Sequence, residues 1–498
     1  MKRLSLAAFA GVPRSIGRPG YDPRRIGIGI VHLGIGAFHR AQTAVYSDDA
    51  LALEGGDWGI CGVSLRSPDV RDRLAPQDGL YTSVEKSPAG TRRRIVGSVR
   101  EVRFLGDERH EVHQRLLAET TRIVSLTVTE KGYCHDPATG ELNRGHPDIV
   151  HDLADTDHPV SAVGLVAAAL DARRSSHGRP FTVLCCDNLP HNGALVRGLV
   201  LAFAETRDAA LARWIRDHAS FPSTMVDRIV PATTEADVVE NDAALDLHDA
   251  APVVHEPFKQ WVIEDEFAAG RPAWERAGAQ LVDDVAPFEA MKLRLLNASH
   301  SAFAYLGYLA GCEFIYQVAA RPEFAAYMRD LMVEEVTPTL KLPGGVDIAA
   351  YRAALLERFR NPALPHRTQQ IAMDGSQKLP QRLLGTVRDN LATGRSIALA
   401  ALAVAAWMRY AAGVDETGRE IKVSDPLASE FARVAREARG DPQALAHGML
   451  SLRAIFGEDL PADPRFTRAV TSWLRELFVG GAARTVAHAV EEAAARGR

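Results

Sequence analysis

The stretch IGIGIVHLGIGAFHRA, residues 26–41, decides the fold class of this 498-residue chain. Its first part, Ile26 to Leu33, is a short apolar run of the kind that forms a buried strand. The run continues directly into Gly34 and Gly36, and a helical pattern follows. A second apolar run, Trp58 to Leu65, then indicates another strand. Strand, turn, helix and strand in this order predict a right-handed parallel unit.

Two later runs share the character of the first strand. They are IVSLTV, Ile123 to Val128, and FTVLCC, Phe181 to Cys186. Polar residues follow each run, with Glu130 after the first and Asn188 after the second. Apolar strands with polar carboxyl ends are typical of a parallel sheet that is covered on both faces and carries its chemistry at the strand ends.

Helical periodicity dominates after about residue 285, and few strand-like runs occur there. We therefore expect an α/β protein with an N-terminal Rossmann-like parallel-sheet domain over residues 1–285. A mostly α-helical C-terminal domain over residues 286–498 is expected to carry the substrate and catalytic groups.

Composition excludes several classes of protein. The chain is 46% hydrophobic and 24% charged, which is typical of a globular protein. A net charge of −5 argues against nucleic acid as a partner. The longest apolar run, Ile397 to Met408, is too short to span a bilayer. Five cysteines without a CxxC pair indicate neither zinc nor disulfides, and a reducing compartment fits best. The expected protein is cytoplasmic, without a nucleic-acid or membrane partner and with its oligomeric state open.

The glycine turn is a candidate cofactor site. Gly34 and Gly36 permit a tight turn and close approach of the backbone to a pyrophosphate, and the helix that starts at Ala37 and Phe38 offers free N–H groups. The third small residue of the usual dinucleotide fingerprint is replaced by His39. The alternative is an ordinary connection between a strand and a helix.

The residue after the second strand leaves the cofactor open. An acidic residue that binds the NAD ribose is usual there, but Arg66 follows Leu65 instead. Arg66 suits the 2′-phosphate of NADP, an adenine ring, or simple exposure to solvent. Both NAD and NADP therefore remain candidates.

A second candidate site lies in MKLRLLNASH, residues 291–300. On an α-helix, at about 100° per residue, Asn297 and His300 are neighbours and Lys292 lies about 80° from His300. A desolvated lysine can exchange a proton with an alcohol, and an amide and an imidazole can donate to the developing oxyanion. The alternative is a solvent-facing lysine and a buried histidine with satisfied hydrogen bonds.

Two other segments carry unusual charges. Asp227 and Arg228 lie in the apolar stretch FPSTMVDRIVP, where each charge should be paired or contact a ligand. Lys378 and Arg382 lie four residues apart in DGSQKLPQR, share a helix face and can bind a carboxylate. A structural ion pair and a solvated basic face are the respective alternatives.

Seven segments together resemble the mannitol dehydrogenase family, the polyol-specific long-chain dehydrogenases. They are GIGAFHRA (34–41), SLTVTEKGY (125–133), CDNLPHNG (186–193), FPSTMVDRIVP (221–231), EPFKQWVIED (256–265), KLRLLNASH (292–300) and MDGSQKLPQR (373–382). The resemblance implies NAD(P)-dependent, metal-independent interconversion of a ketose and a sugar alcohol.

The resemblance also implies roles for individual residues. Lys292 would be the general acid/base, and Asn297 and His300 would polarise the carbonyl. The predicted cofactor contacts are Gly34, Gly36, Ala37, Phe38, Arg66, Glu130, Asn188 and Asp227. By the same match, Asn188, Asp227 and Lys378 would lie at the substrate or nearby.

Within the family, LTVTEKGYC, ASHSAFAYLGYLAG and DGSQKLPQRLL are most similar to the branch that reduces D-fructuronate to D-mannonate with NADH. A uronate needs a cation for its carboxylate, which Arg382 with Lys378 would supply. The alternative substrates are fructose and mannitol, or another polyol. A dinucleotide-binding sensor without turnover is the alternative of a different class.

Overall fold

A computed structural model describes residues 1–136 and 139–496 of the chain. The chain divides into two compact units, Met1–Ala286 and Pro287–Arg498. The strands of the first unit are β1 Ile28–Leu33, β2 Gly59–Ser64, β3 Tyr81–Ser87, β4 Gly90–Val96, β5 Val99–Phe104, β6 Ile123–Leu126, β7 Thr182–Cys185, β8 Thr224–Asp227, β9 Val253–His255, β10 Gln260–Glu264 and β11 Gln280–Val282.

Five of these strands form a parallel sheet in the order β5-β2-β1-β6-β7. Val31 of β1 lies opposite Cys61 of β2 on one side and Val124 of β6 on the other. The four strands predicted from apolar runs are therefore neighbours in one sheet, and the predicted Rossmann-like fold is confirmed. Because all five strands are parallel, their carboxyl ends meet at one edge.

Both faces of this sheet are buried, as the unbroken apolar runs predict. Val31 and Leu33 belong to one core cluster, which includes residues of the helices Ala162–Ser176 and Asn192–Arg207. Ile30 belongs to a second cluster on the other face. Successive strand side chains point to opposite faces, so each strand contributes to both cores.

Two three-stranded sheets complete the strands of the first unit, in the orders β11-β10-β8 and β4-β3-β9. Hydrogen bonds from Asn192 and Thr224 hold β8 beside β7. The Asn192 side chain accepts from Thr224 N at 2.9 Å and donates to Thr224 O at 2.9 Å, while Thr224 Oγ1 donates to Cys185 O at 2.7 Å. These bonds fix the position of β8, which ends at Asp227.

The α-helices of the first unit are Ala37–Ala41, Thr43–Glu54, Asp69–Leu74, Arg109–Leu117, Pro147–Ala154, Ala162–Ser176, Asn192–Arg207, Ala209–His218 and Glu235–Leu245. The helix predicted after the glycine turn is interrupted at Gln42, whose φ of −115° and ψ of −85° are not helical. The Gln42 side chain donates to Gln260 O at 2.7 Å, and Tyr81 OH donates to Arg40 O at 2.6 Å. The interruption thus coincides with long-range bonds, one of which uses the main-chain oxygen of Arg40.

The second unit is helical. Its α-helices are Ala298–Leu309, Ile315–Ala320, Pro322–Asp330, Ile348–Phe359, Thr368–Ile371, Gly375–Leu379, Gly385–Ala392, Ala398–Ala411, Ala428–Ala438, Pro442–Leu450, Arg453–Phe456, Asp459–Ala462 and Pro464–Arg496, and Ala286–Met291 leads into it. Ala398–Ala411 is almost completely buried, as expected for the longest apolar run. Over residues 1–136 and 139–496, no helix combines the length and hydropathy that crossing a bilayer requires.

Three segments of the second unit are π-helical, namely Lys292–Asn297, Leu331–Val336 and Pro380–Leu384. The π-helix is rare and frequently occurs at functional sites. Two of these three segments contain residues that the sequence analysis selected as candidate site residues.

Candidate functional site

The glycine turn has the backbone that the sequence analysis predicts. Gly34 has a φ of +93°, and a Cβ there would lie 2.1 Å from Thr127 O, so a side chain cannot be accommodated. Gly36 is exposed, and the sole atom near its hypothetical Cβ is Gly34 O at 3.9 Å. The space above Gly36 therefore admits the phosphate backbone of a dinucleotide, which fits the chemistry of this turn.

His39 occupies the position where the fingerprint has a small residue. Its ring stacks on that of His32 with a centroid distance of 3.4 Å and an interplanar angle of 12°. His39 Nδ1 is hydrogen-bonded to Thr43 Oγ1 at 2.5 Å, and His32 Nδ1 to Ser125 Oγ at 2.8 Å. Burial lowers the pKa of both histidines, so the stacked pair is neutral. His32 on β1 thus packs against the large side chain of His39.

Four predicted cofactor residues follow neighbouring strands. Gly34 follows β1, Arg66 follows β2, Glu130 follows β6 and Asn188 follows β7. The parallel order β2-β1-β6-β7 brings all four to one edge of the sheet. Arg66, Glu130 and Asn188 are exposed at this edge.

Asp187, for which the sequence predicted no role, positions the segment after β6 at this edge. Asp187 accepts hydrogen bonds from Val128 N at 2.8 Å, Thr129 N at 3.2 Å and Tyr133 OH at 2.6 Å. It holds the segment after β6, where Thr129 has a φ of +66°. That conformation is unusual for a β-branched residue and orients the adjacent Glu130.

Arg66 forms an ion pair with Asp148, at the start of the helix Pro147–Ala154. The bond to Asp148 raises the pKa of Arg66 above its ordinary value. The guanidinium therefore remains charged, but a carboxylate already neutralises part of its field. An Arg66 in this state is a weaker attractor for a 2′-phosphate than a free arginine.

Asp227 and Arg228 are both buried. Asp227 ends β8, which belongs to a different sheet from the parallel one. Arg228 donates to Glu256 O at 3.1 Å and to Ala41 O at 2.5 Å, and burial lowers the pKa of its guanidinium to about 10. Arg228 thus ties the β8 end to two other segments of the first unit.

The candidate catalytic segment in the second unit is not a continuous α-helix. Lys292 and Asn297 begin and end a π-helical segment, and the α-helix Ala298–Leu309 follows it. In an α-helix, residues five apart differ by about 140°. A π-helix instead bonds residues five apart, so Lys292 and Asn297 lie one turn apart on the same face. The uniform α-helical geometry used in the sequence analysis is therefore wrong for this segment.

His300 lies beside two rings. The centroid of His300 is 5.2 Å from that of Phe359 and 5.6 Å from that of His366. Its Nε2 atom is buried and has no hydrogen-bond partner among residues 1–136 and 139–496. Burial, and then the charges of neighbouring basic groups, lower the pKa of His300 well below its usual value. A neutral imidazole with an unsatisfied nitrogen is suited to bind a ligand oxygen.

Lys378 and Arg382 both contact main-chain oxygens. Lys378 Nζ donates to Met373 O at 2.5 Å and to Ile371 O at 3.3 Å. Arg382 donates to Ser301 Oγ at 2.9 Å and to Asn297 O at 3.4 Å. Burial, followed by the Arg382 charge, lowers the pKa of Lys378 to about 8. The structure thus brings Arg382 to the helix that carries Asn297 and His300.

Two basic residues near His300 escaped the sequence analysis. Arg358 and His366 are, with Lys378 and Arg382, the charged or titratable groups that act most strongly on His300. Nothing in the spacing of LERFRNPALPHR, residues 356–367, indicates this contact. It arises because the His366 ring and the Phe359 ring, which ends the helix Ile348–Phe359, both lie against His300.

One group of side chains has the composition of a metal site. Among the described residues, Cys134, His146 and Asp148 place ligand atoms within 4.8 Å of one another. Two of these ligands are already used: Asp148 pairs with Arg66, and His146 Nδ1 accepts from Asp148 N at 3.2 Å. This arrangement serves the start of the helix Pro147–Ala154, and metal-independent catalysis stays a prediction.

Both units match models of known domains. The mannitol dehydrogenase Rossmann domain matches residues 28–276, and the mannitol dehydrogenase C-terminal domain matches residues 284–478. Together these two matches cover most of the chain.

Individual proteins are similar over their whole length. The D-mannonate oxidoreductase of Escherichia coli (strain K12) is 46% identical over 95% of this chain and 98% of that protein. The mannitol 2-dehydrogenase of Pyricularia oryzae is 41% identical over 97% of each chain. The Pseudomonas fluorescens mannitol 2-dehydrogenase, in its ternary complex with NAD and D-mannitol, is 40% identical with a TM-score of 0.86, covering 98% of this chain and 99% of that one. The chain therefore belongs to the mannitol dehydrogenase family of oxidoreductases.

Proposed function

We propose that the protein is an NAD-dependent oxidoreductase that interconverts D-fructuronate and D-mannonate. The observation that carries this proposal is the buried Nε2 of His300, which has no hydrogen-bond partner among the described residues and lies on a helix that the guanidinium of Arg382 contacts at Ser301. A site of this charge favours an anionic substrate over a neutral one. The 46% identity with a D-mannonate oxidoreductase supports the same choice.

We propose that the first unit binds the dinucleotide and the second supplies the catalytic groups. Gly34 and Gly36, with the N–H groups of Ala37 and Phe38, would bind the pyrophosphate. Arg66, Glu130 and Asn188, which are exposed at the same sheet edge, would contact the remainder of the cofactor. Asp227 would lie close to the cofactor. NAD is the preferred cofactor because Arg66 is already paired with Asp148, and because the Pseudomonas fluorescens relative binds NAD. When bound, the nicotinamide accepts or supplies the hydride.

Lys292 would be the general acid/base. Its side chain is 8% exposed, and a lysine in such a site loses part of the solvation of its charged form. In reduction, Lys292 Nζ would deliver a proton to the oxygen at C5 of fructuronate. In oxidation, the neutral amine would remove that proton. General acid/base catalysis of this kind contributes about 10²- to 10⁴-fold.

Asn297 and His300 would bind the reacting oxygen. The Asn297 amide and a neutral His300 each offer an N–H donor, and the oxygen gains negative charge as the carbonyl is reduced. Donors that are fixed before the reaction stabilise this charge without reorganising. The π-helical turn helps because it brings Asn297 to the face of the helix that carries Lys292.

The substrate carboxylate would be held by Lys378 and Arg382. Arg382 donates from one terminal nitrogen to Ser301 and Asn297, and a guanidinium has five N–H donors in all. The remaining donors can bind a carboxylate, while Lys378 adds a nearby positive charge.

The experiment that tests the reaction is isotope transfer. The purified protein is incubated with D-fructuronate and NADH that carries deuterium at both C4 positions, and the product is examined by NMR. The proposal predicts D-mannonate with deuterium at C5. A product that differs in configuration at C5, or that carries no deuterium, would contradict it.

Fructose reduction to mannitol is the second candidate. It is favoured by the mannitol 2-dehydrogenases at 40% and 41% identity. The two reactions share the groups at the reacting carbon and differ at the far end of the substrate. Arg382→Ala should impair fructuronate turnover and leave fructose turnover nearly unchanged; equal losses on both substrates would contradict the carboxylate role of Arg382.

A further inference from the structure

The main-chain oxygen of Gly34, in the turn between β1 and the helix Ala37–Ala41, accepts several hydrogen bonds. Gly36 N donates to Gly34 O at 2.7 Å, which is the bond that closes a γ-turn. Thr127 Oγ1, from the segment after β6, donates to the same oxygen at 2.8 Å. Gly34 N in turn donates to Val63 O of β2 at 2.8 Å. Both polar groups of the Gly34 main chain are therefore bound within the first unit.

His32 connects this oxygen to the parallel sheet. Its side chain is fully buried, and its Nε2 atom lies 3.2 Å from Gly34 O and 2.8 Å from Thr127 Oγ1. Because a carbonyl oxygen only accepts, we assign the ring proton to Nε2. The other ring nitrogen, Nδ1, then accepts from Ser125 Oγ at 2.8 Å. Ser125, His32 and Thr127 thus form a chain of hydrogen bonds that ends at Gly34 O.

His39 holds the His32 ring in place. The two rings are stacked, with centroids 3.4 Å apart and planes inclined by 12°. His39 Nδ1 is itself bonded to Thr43 Oγ1 at 2.5 Å, which fixes the orientation of the His39 ring. Stacked rings restrict each other's rotation, so the Nε2 atom of His32 stays directed at the turn. A glycine or alanine, which the dinucleotide fingerprint favours at this position, has no ring for this contact.

The direction of the Gly34 carbonyl matters to an anionic ligand. Each peptide group is a dipole whose N–H end attracts a phosphate and whose oxygen end repels it. Gly34 O accepts from two side chains of the sheet, so it is directed into the first unit. A carbonyl that rotated toward the exposed side of the turn, at Gly36, would bring its negative end to the phosphate.

We propose that Thr127, His32 and His39 are positioning residues of the cofactor turn, which hold the Gly34 carbonyl away from the pyrophosphate and so raise the affinity for the dinucleotide. This inference rests on the proposed placement of the pyrophosphate at Gly34 and Gly36. It also gives His39 a role, since its ring stabilises the hydrogen-bond chain that fixes the turn. The three residues take no part in proton or hydride transfer.

The test measures the binding of NADH and of ADP-ribose to the full chain by fluorescence and calorimetric titration. Thr127→Val keeps the shape of the side chain but removes the hydroxyl, and it should raise both dissociation constants by about three- to tenfold. ADP-ribose has the pyrophosphate but no nicotinamide, so equal factors for the two ligands assign the effect to the pyrophosphate half. At saturating NADH, kcat and the KM of the carbonyl substrate should change by less than about twofold.

The sharpest variant is His39→Ala. It gives the turn the small residue of the fingerprint, yet it should raise the dissociation constant of NADH by about three- to tenfold, because the His32 ring loses its support. His39→Phe keeps a ring against His32 and should recover part of the affinity. Unchanged or tighter NADH binding by folded His39→Ala would overturn the inference.

Thr182→Val is the matched control. Thr182 is buried and begins β7, at the amino-terminal side of the sheet and away from the turn, and its Oγ1 atom lies 3.0 Å from Ser220 Oγ. Its thermal unfolding midpoint should fall about as much as that of Thr127→Val, while its dissociation constant for NADH stays that of the wild type. If Thr182→Val weakens NADH binding as much as Thr127→Val does, the effect is one of general stability and the inference fails.

Gly36→Val separates this inference from the proposed function. Weaker NADH binding in Gly36→Val, Thr127→Val and His39→Ala supports both. Weaker binding in Gly36→Val alone overturns the positioning role and keeps the turn as the pyrophosphate site. Normal NADH binding in Gly36→Val overturns the placement of the pyrophosphate and the inference with it.

Discussion

Lys292 and Asn297 are the first and last residues of one π-helical segment, and they therefore lie one helical turn apart on the same face. The following α-helix carries His300 three residues later. The wider turn supports the proposal that Lys292 and Asn297 act on a single substrate oxygen. An uninterrupted α-helix would separate Lys292 from Asn297 by about 140°.

The first prediction concerns Lys292. Lys292→Ala should lower kcat by about 10²- to 10⁴-fold, since it removes the proposed general acid/base. The dissociation constant of NADH, measured by fluorescence titration, should change little. Lys341→Ala, at an exposed lysine of the same unit, is the control and should keep full activity. Near-normal kcat in Lys292→Ala would refute the lysine assignment.

Substitutions at the two glycines of the turn should affect different properties, protein stability at Gly34 and NADH binding at Gly36. Gly34→Ala forces a side chain into a left-handed backbone 2.1 Å from Thr127 O, so it should cost at least about 2 kcal/mol of stability. Gly36→Val faces open space and should leave the thermal unfolding midpoint nearly unchanged while weakening NADH binding at least tenfold, about 1.4 kcal/mol. Calorimetry and NADH titration of the two variants measure both effects. Unimpaired NADH binding by Gly36→Val would remove the turn from the cofactor site.

Substrate selectivity should depend on pH through Lys378. Its pKa is about 8 instead of 10.5, so its positive charge is lost as the pH rises through 8. KM for fructuronate, relative to KM for fructose, should rise about fivefold between pH 8 and pH 9, as the protonated fraction falls. Dividing by the fructose value cancels pH effects that are common to both substrates. In Lys378→Met this pH dependence should disappear; its persistence would assign it to another group.

The lowered pKa of Lys378 also predicts how the free energy of unfolding depends on pH. Between pH 8 and pH 10.5 the unfolded chain binds more protons at this lysine than the folded chain does. The Lys378 contribution to the free energy of unfolding therefore rises with pH in that interval. Denaturant unfolding of the wild type and Lys378→Met across the interval measures it, and a difference that falls with pH would contradict the assignment.

Cofactor preference should respond to the pairing of Arg66. Asp148→Asn removes the carboxylate that neutralises Arg66 and should raise kcat/KM with NADPH relative to NADH severalfold. Arg66→Ala should leave NADH use nearly unchanged. Initial rates with both cofactors measure this, and a large loss of NADH activity in Arg66→Ala would give that side chain a direct role in NAD binding.

The sequence analysis predicted the features that depend on local patterns. The buried parallel strands appear as unbroken apolar runs, and Gly34 is required by the backbone of the turn, so both were predictable. His39 departs from the fingerprint, and nothing local indicates that His32 would stack against it. The large His39 side chain fits because it stacks on His32, and the two residues belong to different elements, the helix Ala37–Ala41 and β1.

In the candidate catalytic site, too, the residue types were predictable from the sequence but the tertiary contacts were not. The residue types Lys292, Asn297 and His300 indicated the chemistry, but the π-helical turn has no hydrophobic period that separates it from an α-helix. The contact of His366 with His300 joins segments far apart in the chain. Such contacts follow from tertiary packing, which a single sequence does not display.

The most direct measurement is kcat/KM of the purified protein for D-fructuronate, D-tagaturonate and D-fructose, each with NADH and with NADPH. The account predicts a preference for fructuronate with NADH of about 100-fold or more over fructose, in line with the loss of a buried charged contact. A preference for fructose would contradict it and would leave the basic groups around His300 without the role proposed for them.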